Sequence, residues 1–164
     1  MKPKYIIIHS MSRVISYEGN DFTAKGFLSS IGLDVHGFVY QNGTFEDWID
    51  TDLIARHAGV SEWLTDTGLN NNSIGYEILI EGTNNYAGWK KAIAKPESFK
   101  DAMYVSLAKR LASDCKKIHI PIHNILCHSD ISGDDVRGKV KGKIDPGKGF
   151  DYIRLINMVR AEML

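Results

Sequence analysis

Two histidines and an aspartate, His9, His128 and Asp145, form a set able to hold Zn²⁺. His9 closes the apolar run Tyr5-Ile6-Ile7-Ile8, His128 follows the stretch Ile122 to Cys127, and Asp145 stands within Lys143-Ile144-Asp145-Pro146-Gly147. Zn²⁺ accepts imidazole nitrogen and carboxylate oxygen, and a catalytic site leaves one coordination position to water. Each residue alone has a plain reading: a histidine at a strand end is a polar cap, and Asp-Pro-Gly is a turn signal. The joint pattern, histidines at the ends of separate strands and an aspartate in a loop that can return beside the second, points to metal-assisted hydrolysis.

Such a set needs a scaffold that gathers strand ends. The expected fold is α/β, a single domain over residues 1–164 with a mixed central β-sheet flanked by α-helices and the zinc site at one end of the sheet. Tyr5 to Ile8 reads as a central strand covered on both faces, with His9 at its exit. Val35 to Tyr40 and Thr44 to Trp48 flank Gln41-Asn42-Gly43, whose Asn-Gly pair suits a tight hairpin. Ser73 to Ile80 and Ile122 to Cys127 are further strands. Ser98 to Lys117 is the longest expected helix, capped by Ser98, with Phe99, Met103, Leu107, Leu111 and Cys115 along one face. Asp151 to Met163 is a terminal helix on Ile153, Ile156, Val159 and Met163. A short helix is expected over Phe22 to Ser30, and residues 70–72, 84–85 and 131–142 read as loops.

Composition narrows the partners. A chain of 164 residues, 43% hydrophobic, suits one domain with a real core. Twenty basic and twenty acidic residues cancel, so no global field favours nucleic acid or an anionic membrane. The basic stretch Arg137 to Lys148 lacks interleaved aromatics and reads as a solvated site loop. Cys115 and Cys127 fit free thiols in a reducing compartment rather than a disulfide framework. The basic N-terminus carries too short an apolar run for a signal peptide, and no stretch approaches the ~20 apolar residues of a membrane helix. The expected location is cytoplasmic, without membrane insertion, and the expected state is a monomer.

The segments Tyr5-Ile6-Ile7-Ile8-His9-Ser10, His57-Ala58-Gly59-Val60-Ser61, Ser73-Ile74-Gly75-Tyr76-Glu77-Ile78, Cys127-His128-Ser129-Asp130-Ile131 and Lys143-Ile144-Asp145-Pro146-Gly147 occur in this order along nearly the whole chain. In this the chain resembles the type 2 family of zinc-dependent N-acetylmuramoyl-L-alanine amidases, which includes phage endolysins, cytoplasmic amidases of cell-wall recycling and peptidoglycan recognition proteins.

The resemblance implies that His9, His128 and Asp145 bind Zn²⁺ and that Lys143, two residues before the last ligand, stabilises a developing oxyanion. It implies that Glu77 is the general base, and a carboxylate on an apolar strand does need a compensating partner. It sets His36, His57 and Ala58 on the substrate side of the cleft, although His57 read alone has an equally good structural role. Endolysin-like relatives carry tyrosine after a histidine before the Asn-Gly or Asp-Gly turn, whereas His36 is followed by Gly37, so more weight falls on Glu77 and Lys143. His119 and His123 match no motif and are not expected ligands; Trp48, Trp63 and Trp89 receive no site role. The implied substrate is peptidoglycan or muropeptides, cut between N-acetylmuramic acid and L-alanine. The expected role is a phage or prophage endolysin acting from the host cytosol after holin-assisted release. Recycling of anhydro-muropeptides and peptidoglycan binding without cutting are the alternatives.

Overall fold

The computed structural model describes Met1–Leu164 throughout. Nine strands and six α-helices follow one another as β1 (Tyr5–Ser12), β2 (Val14–Tyr17), β3 (Asn20–Thr23), α1 (Ala24–Ser30), β4 (Gly37–Val39), β5 (Phe45–Asp47), β6 (Glu62–Trp63), β7 (Asp66–Thr67), β8 (Ser73–Ile80), α2 (Tyr86–Ala92), α3 (Asp101–Ile118), β9 (Ile125–Cys127), α4 (His128–Ile131), α5 (Asp134–Arg137) and α6 (Tyr152–Met163). Five strands make the central sheet in the order β5-β4-β8-β1-β9. Its four inner contacts are parallel except for the antiparallel β4–β5 hairpin, so the sheet is mixed as expected.

Alternation along β1 and β8 divides the side chains between two faces. Ile6 and Ile8 of β1 and Ile74, Tyr76, Ile78 and Ile80 of β8 point into the main core, against Met103, Leu107 and Leu111 of α3 and Leu155, Ile156 and Val159 of α6. Each such aliphatic side chain contributes about 1.5–3 kcal/mol on burial. Tyr5 and Ile7 face the other way, under Ala58, Leu69, Leu126 and Ile131. His9 continues this second row, and α1 closes the face further along through Ala24 and Leu28 packed with Phe38 and Leu79.

Several boundaries differ from the sequence reading, each for a local reason. The first strand runs on to Ser12, so His9 lies inside β1 rather than at its exit, because β8 pairs with it over the full length. The helix expected from Ser98 starts at Asp101. Pro96–Ser98 forms a single 3₁₀ turn, the Ser98 hydroxyl donates to the Ala92 carbonyl, and Gln41 Oε1 instead accepts from Lys100 N–H at 2.9 Å. Asp151 caps α6 by accepting from Arg154 N–H, and the helix buries Leu155 rather than Ile153, which is 70% exposed. Ile122–Asn124 is a 3₁₀ turn, which shortens the expected strand to Ile125–Cys127. Phe22 belongs to β3, and Thr23 caps α1. Helix α2, capped by Asn85, and the β2–β3 hairpin were not expected from the residue pattern. No helix is long and apolar enough to cross a membrane. Both cysteines are free, and burial pushes the Cys115 thiol up to about 11, away from nucleophilic reactivity.

Candidate active site

Strand register aligns the chemistry. His9 on β1 is opposite Glu77 on β8, and Ile8 is opposite Cys127, the last residue of β9, so His128 begins α4 one step beyond. Glu77 on β8, His9 on β1 and His128 just past the end of β9 thus form a row. Asp145 is brought to the row by its own loop: Ser129 N–H donates to the Asp145 carbonyl at 3.0 Å, and the Ser10 hydroxyl donates to the Pro146 carbonyl at 3.0 Å. Gly147 lets that loop dock, since at φ +114° a Cβ here would lie 2.5 Å from Ile93 Cβ and its carbonyl oxygen.

Three donor atoms converge. His9 Nδ1 and His128 Nδ1 are 3.0 Å apart, Asp145 Oδ2 is 3.1 Å from His128 Nδ1, and it is 3.3 Å from His9 Nδ1. Zinc–nitrogen bonds of ~2.0–2.1 Å place neighbouring tetrahedral ligand atoms about 3.3 Å apart, so the triangle is of the right size. The outer nitrogens have partners as well. His128 Nε2 lies 3.2 Å from the Ala58 carbonyl, which only accepts, so the proton is on Nε2 and the lone pair on Nδ1. His9 Nε2 lies 2.9 Å from His57 Nδ1. Burial, reinforced by His128, lowers His9 to about 4, against the opposing pull of Asp145, so its ring is neutral near pH 7. Burial alone would raise Asp145, but the adjoining imidazoles of His128 and His9 outweigh it and hold this carboxyl well below the usual range, so it is ionised as a ligand must be. Lone pairs from two imidazoles and a carboxylate facing one another are repulsive unless a cation lies among them, and the residues present fit Zn²⁺.

Glu77 is buried beside this triangle, and its Oε2 has no hydrogen-bond partner. Burial raises its carboxyl well above the ordinary value, the nearby Asp145 adds to the rise, and Lys143 opposes it. A cleft of about 480 Å³ opens over these groups. His9, His57, Glu77, His128, Lys143 and Asp145 all line it. The sequence reading missed the apolar walls: Ile15 from β2, Phe27 from α1, and Tyr86 and Trp89 from α2. Trp89 was distinguishable from Trp48 and Trp63 only by its place in space, since Trp48 stacks on Phe38 and Trp63 packs against the smaller core that holds Tyr5 and Ile7.

Two residues expected at the substrate do not reach the cleft. His36 is fully buried and spends both ring nitrogens on the backbone, accepting from Gly75 N–H at 3.0 Å and contacting the Leu53 carbonyl at 3.1 Å. Ala58 is fully buried too, and meets the site only through its carbonyl on His128. His119 and His123 are exposed and lie outside the triangle.

The sequence signature of the N-acetylmuramoyl-L-alanine amidase family matches residues 1–148. The chain belongs to that family. It is 30% identical to the N-acetylmuramoyl-L-alanine amidase AmiD of Escherichia coli K12 over 150 residues, covering 87% of this chain and 50% of AmiD. It is 31% identical to the 1,6-anhydro-N-acetylmuramyl-L-alanine amidase AmpD of Haemophilus influenzae over 130 residues, covering 78% of this chain and 59% of AmpD. The chain therefore spans between half and three fifths of the length of these relatives. Among solved structures, a selenomethionine AmpD derivative shares the fold with a TM-score of 0.69 at 22% identity, over 97% of this chain and 86% of that one. The E. coli AmiD complex with anhydro-N-acetylmuramic acid-L-Ala-D-γ-Glu-L-Lys superposes with a TM-score of 0.66 at 26% identity, over 96% of this chain and 58% of that one. Family membership ends short of α6, yet α6 completes the same core as the matched part.

Proposed function

We propose that this protein hydrolyses the amide bond between N-acetylmuramic acid and L-alanine, using Zn²⁺ held by His9 Nδ1, His128 Nδ1 and Asp145 Oδ2. The observation that carries this reading is the convergence of those three lone-pair donors at one end of the sheet, beside the unpartnered carboxylate oxygen of Glu77. Bound there, zinc supplies Lewis acidity and lowers the pKa of its water to ~7.

The chain's own groups supply the rest. Glu77 takes a proton from the attacking water and delivers it to the departing L-alanine nitrogen, so the carboxylate ends the cycle as it began. Its shielded position suits this work, because burial and the nearby Asp145 make it more basic than an ordinary carboxylate. Lys143 presents its ammonium charge to the carbonyl oxygen as water adds and negative charge develops there, and releases it as the C–N bond breaks. Its backbone is pinned for this purpose by donation from Lys143 N–H to the Ser132 carbonyl at 2.8 Å. The serine hydroxyls of the cleft are engaged elsewhere, Ser10 with the Pro146 carbonyl and Ser12 with Thr83, which suits direct attack by water.

Likeness to AmpD, a 1,6-anhydro-N-acetylmuramyl-L-alanine amidase, supports a soluble 1,6-anhydro-muropeptide as the preferred substrate rather than the intact wall that a phage endolysin attacks. The test is mass spectrometry of anhydro-muropeptides and of purified sacculi incubated with the protein, with chelated and zinc-restored controls. Loss of the lactyl amide in the soluble substrate, abolished by chelator and returned by zinc, is the expected result. Cleavage confined to sacculi would instead support the lytic role, and binding of fragments without cleavage would leave a recognition module.

Lys143→Met is expected to lower kcat by about 10²–10³ with zinc content unchanged, the loss typical of one oxyanion-stabilising group. Steady-state kinetics on the soluble substrate, beside metal analysis of the same preparation, checks it; an unchanged kcat would return Lys143 to the solvated surface.

A further inference from the structure

We propose that His57 and Ala58 are the backing of the metal centre rather than contacts for substrate, and that His57 decides which nitrogen of His9 carries the proton. This rests on the zinc reading above. Adjacent residues of one segment serve the two histidine ligands: Ala58 by its carbonyl on His128 Nε2, and His57 by its ring on His9 Nε2.

The direction of every proton behind His9 follows from the far end of the chain of hydrogen bonds. Ser73 has one hydroxyl proton and donates it to the Leu69 carbonyl at 2.6 Å. What the Ser73 oxygen still offers is lone pairs, so His57 Nε2, 3.4 Å away, must bring the proton to that contact. A neutral His57 protonated on Nε2 is bare on Nδ1, and His9 Nε2 donates to it across 2.9 Å. His9 is then bare on Nδ1, the nitrogen in the ligand triangle. The opposite set of protons would aim an N–H from His9 at His128 Nδ1 and close the site to a cation. Metal-ligating histidines commonly donate their other N–H to such an acceptor, which fixes tautomer and ring orientation.

The segment is gripped from both ends by one turn. Asn70 Oδ1 accepts from His57 N–H at 3.0 Å and from Ala58 N–H at 2.7 Å, while Leu69 of the same turn holds Ser73. The His57 ring lies on the bare backbone of Gly75, where an added Cβ would fall 2.4 Å from its Cγ and Nδ1. His57 is buried on every side but a small opening to the cleft, so it has little surface to give a substrate.

The test compares His57→Leu, His57→Gln and Ser73→Ala with the wild type in zinc affinity, by competition against a chromophoric chelator, in the visible spectrum of the Co²⁺-substituted proteins, and in KM at saturating zinc. His57→Leu is expected to weaken zinc about 10–100-fold and to alter the Co²⁺ bands with KM unchanged. His57→Gln, whose amide oxygen can accept from His9, is expected to recover most of the affinity. Ser73→Ala, which touches no ligand, is expected to weaken zinc by a few fold because His57 is freed to adopt either tautomer. Unchanged zinc affinity in His57→Gln and Ser73→Ala together with a raised KM for His57→Gln would overturn the proposal, even if His57→Leu fails to fold. A wild-type protein that takes up no zinc would sink the zinc reading itself, whereas zinc on the wild type and equally on all three variants would sink this inference alone.

Discussion

His128→Ala is expected to leave a folded protein that no longer holds zinc stoichiometrically and that hydrolyses muropeptide at least about a thousandfold more slowly. The size follows from losing the several kcal/mol that a bound metal contributes at the reacting carbonyl, where each ~1.4 kcal/mol is tenfold in rate. His128 is the hinge of the triangle, because its Nδ1 is the atom closest to both other donors. Its removal also strands the Ala58 carbonyl and leaves the Asp145 carboxylate with His9 alone. Because α4 and the end of β9 are held by Leu126 and Ile131 in the core, the fold should survive. Metal analysis after dialysis, thermal unfolding with and without zinc, and turnover on anhydro-muropeptide decide the matter. His119→Ala is the control, at an exposed histidine outside the triangle. Stoichiometric zinc and ordinary turnover in His128→Ala would remove this ligand set.

The second large effect belongs to Glu77→Gln. Turnover should fall by about 10²–10⁴, the usual loss of a general base, while zinc content and KM stay close to those of the wild type. Stability should not fall with it. The carboxylate is buried with one oxygen unpartnered and lies near the charge of Asp145, so exchanging it for a neutral amide of the same shape relieves a cost of burial. A metal-free Glu77→Gln protein that unfolds at or above the wild-type temperature, yet is inactive when loaded with zinc, would separate catalysis from structure. Full turnover in this variant would pass the proton-transfer role to another group. The two substitutions thus differ in kind: His128→Ala loses metal and rate together, and Glu77→Gln loses rate alone.

Much of this site is legible in the residue order. The apolar run at Tyr5 to Ile8 has no polar face to turn to water, which makes it a central strand before any coordinates exist, and the alternation of apolar residues from Ser73 to Ile80 marks a further strand. The Asn42-Gly43 pair sits where β4 turns back into β5 because it relieves the strain of a tight turn. The distinctive spacing around His9, His128 and Asp145 marks candidate ligands, since imidazole and carboxylate are scarce in apolar surroundings unless something compensates them. What the linear order leaves open is orientation. Whether His36, His57 or Ala58 meets substrate, metal ligand or backbone depends on contacts between residues far apart in sequence, such as Gly75 with His36 and His57 with His9. The same holds for the walls of the cleft. Phe27, Tyr86 and Trp89 carry no local signal of a shared surface, because their common address arises from packing α1 and α2 around the ends of β1 and β8. Residue types set what chemistry this chain can perform, through the intrinsic donor and acceptor character of each side chain; strand register and loop docking decided which atoms meet, because lone pairs only make a metal site when they converge within about 3.3 Å of one another.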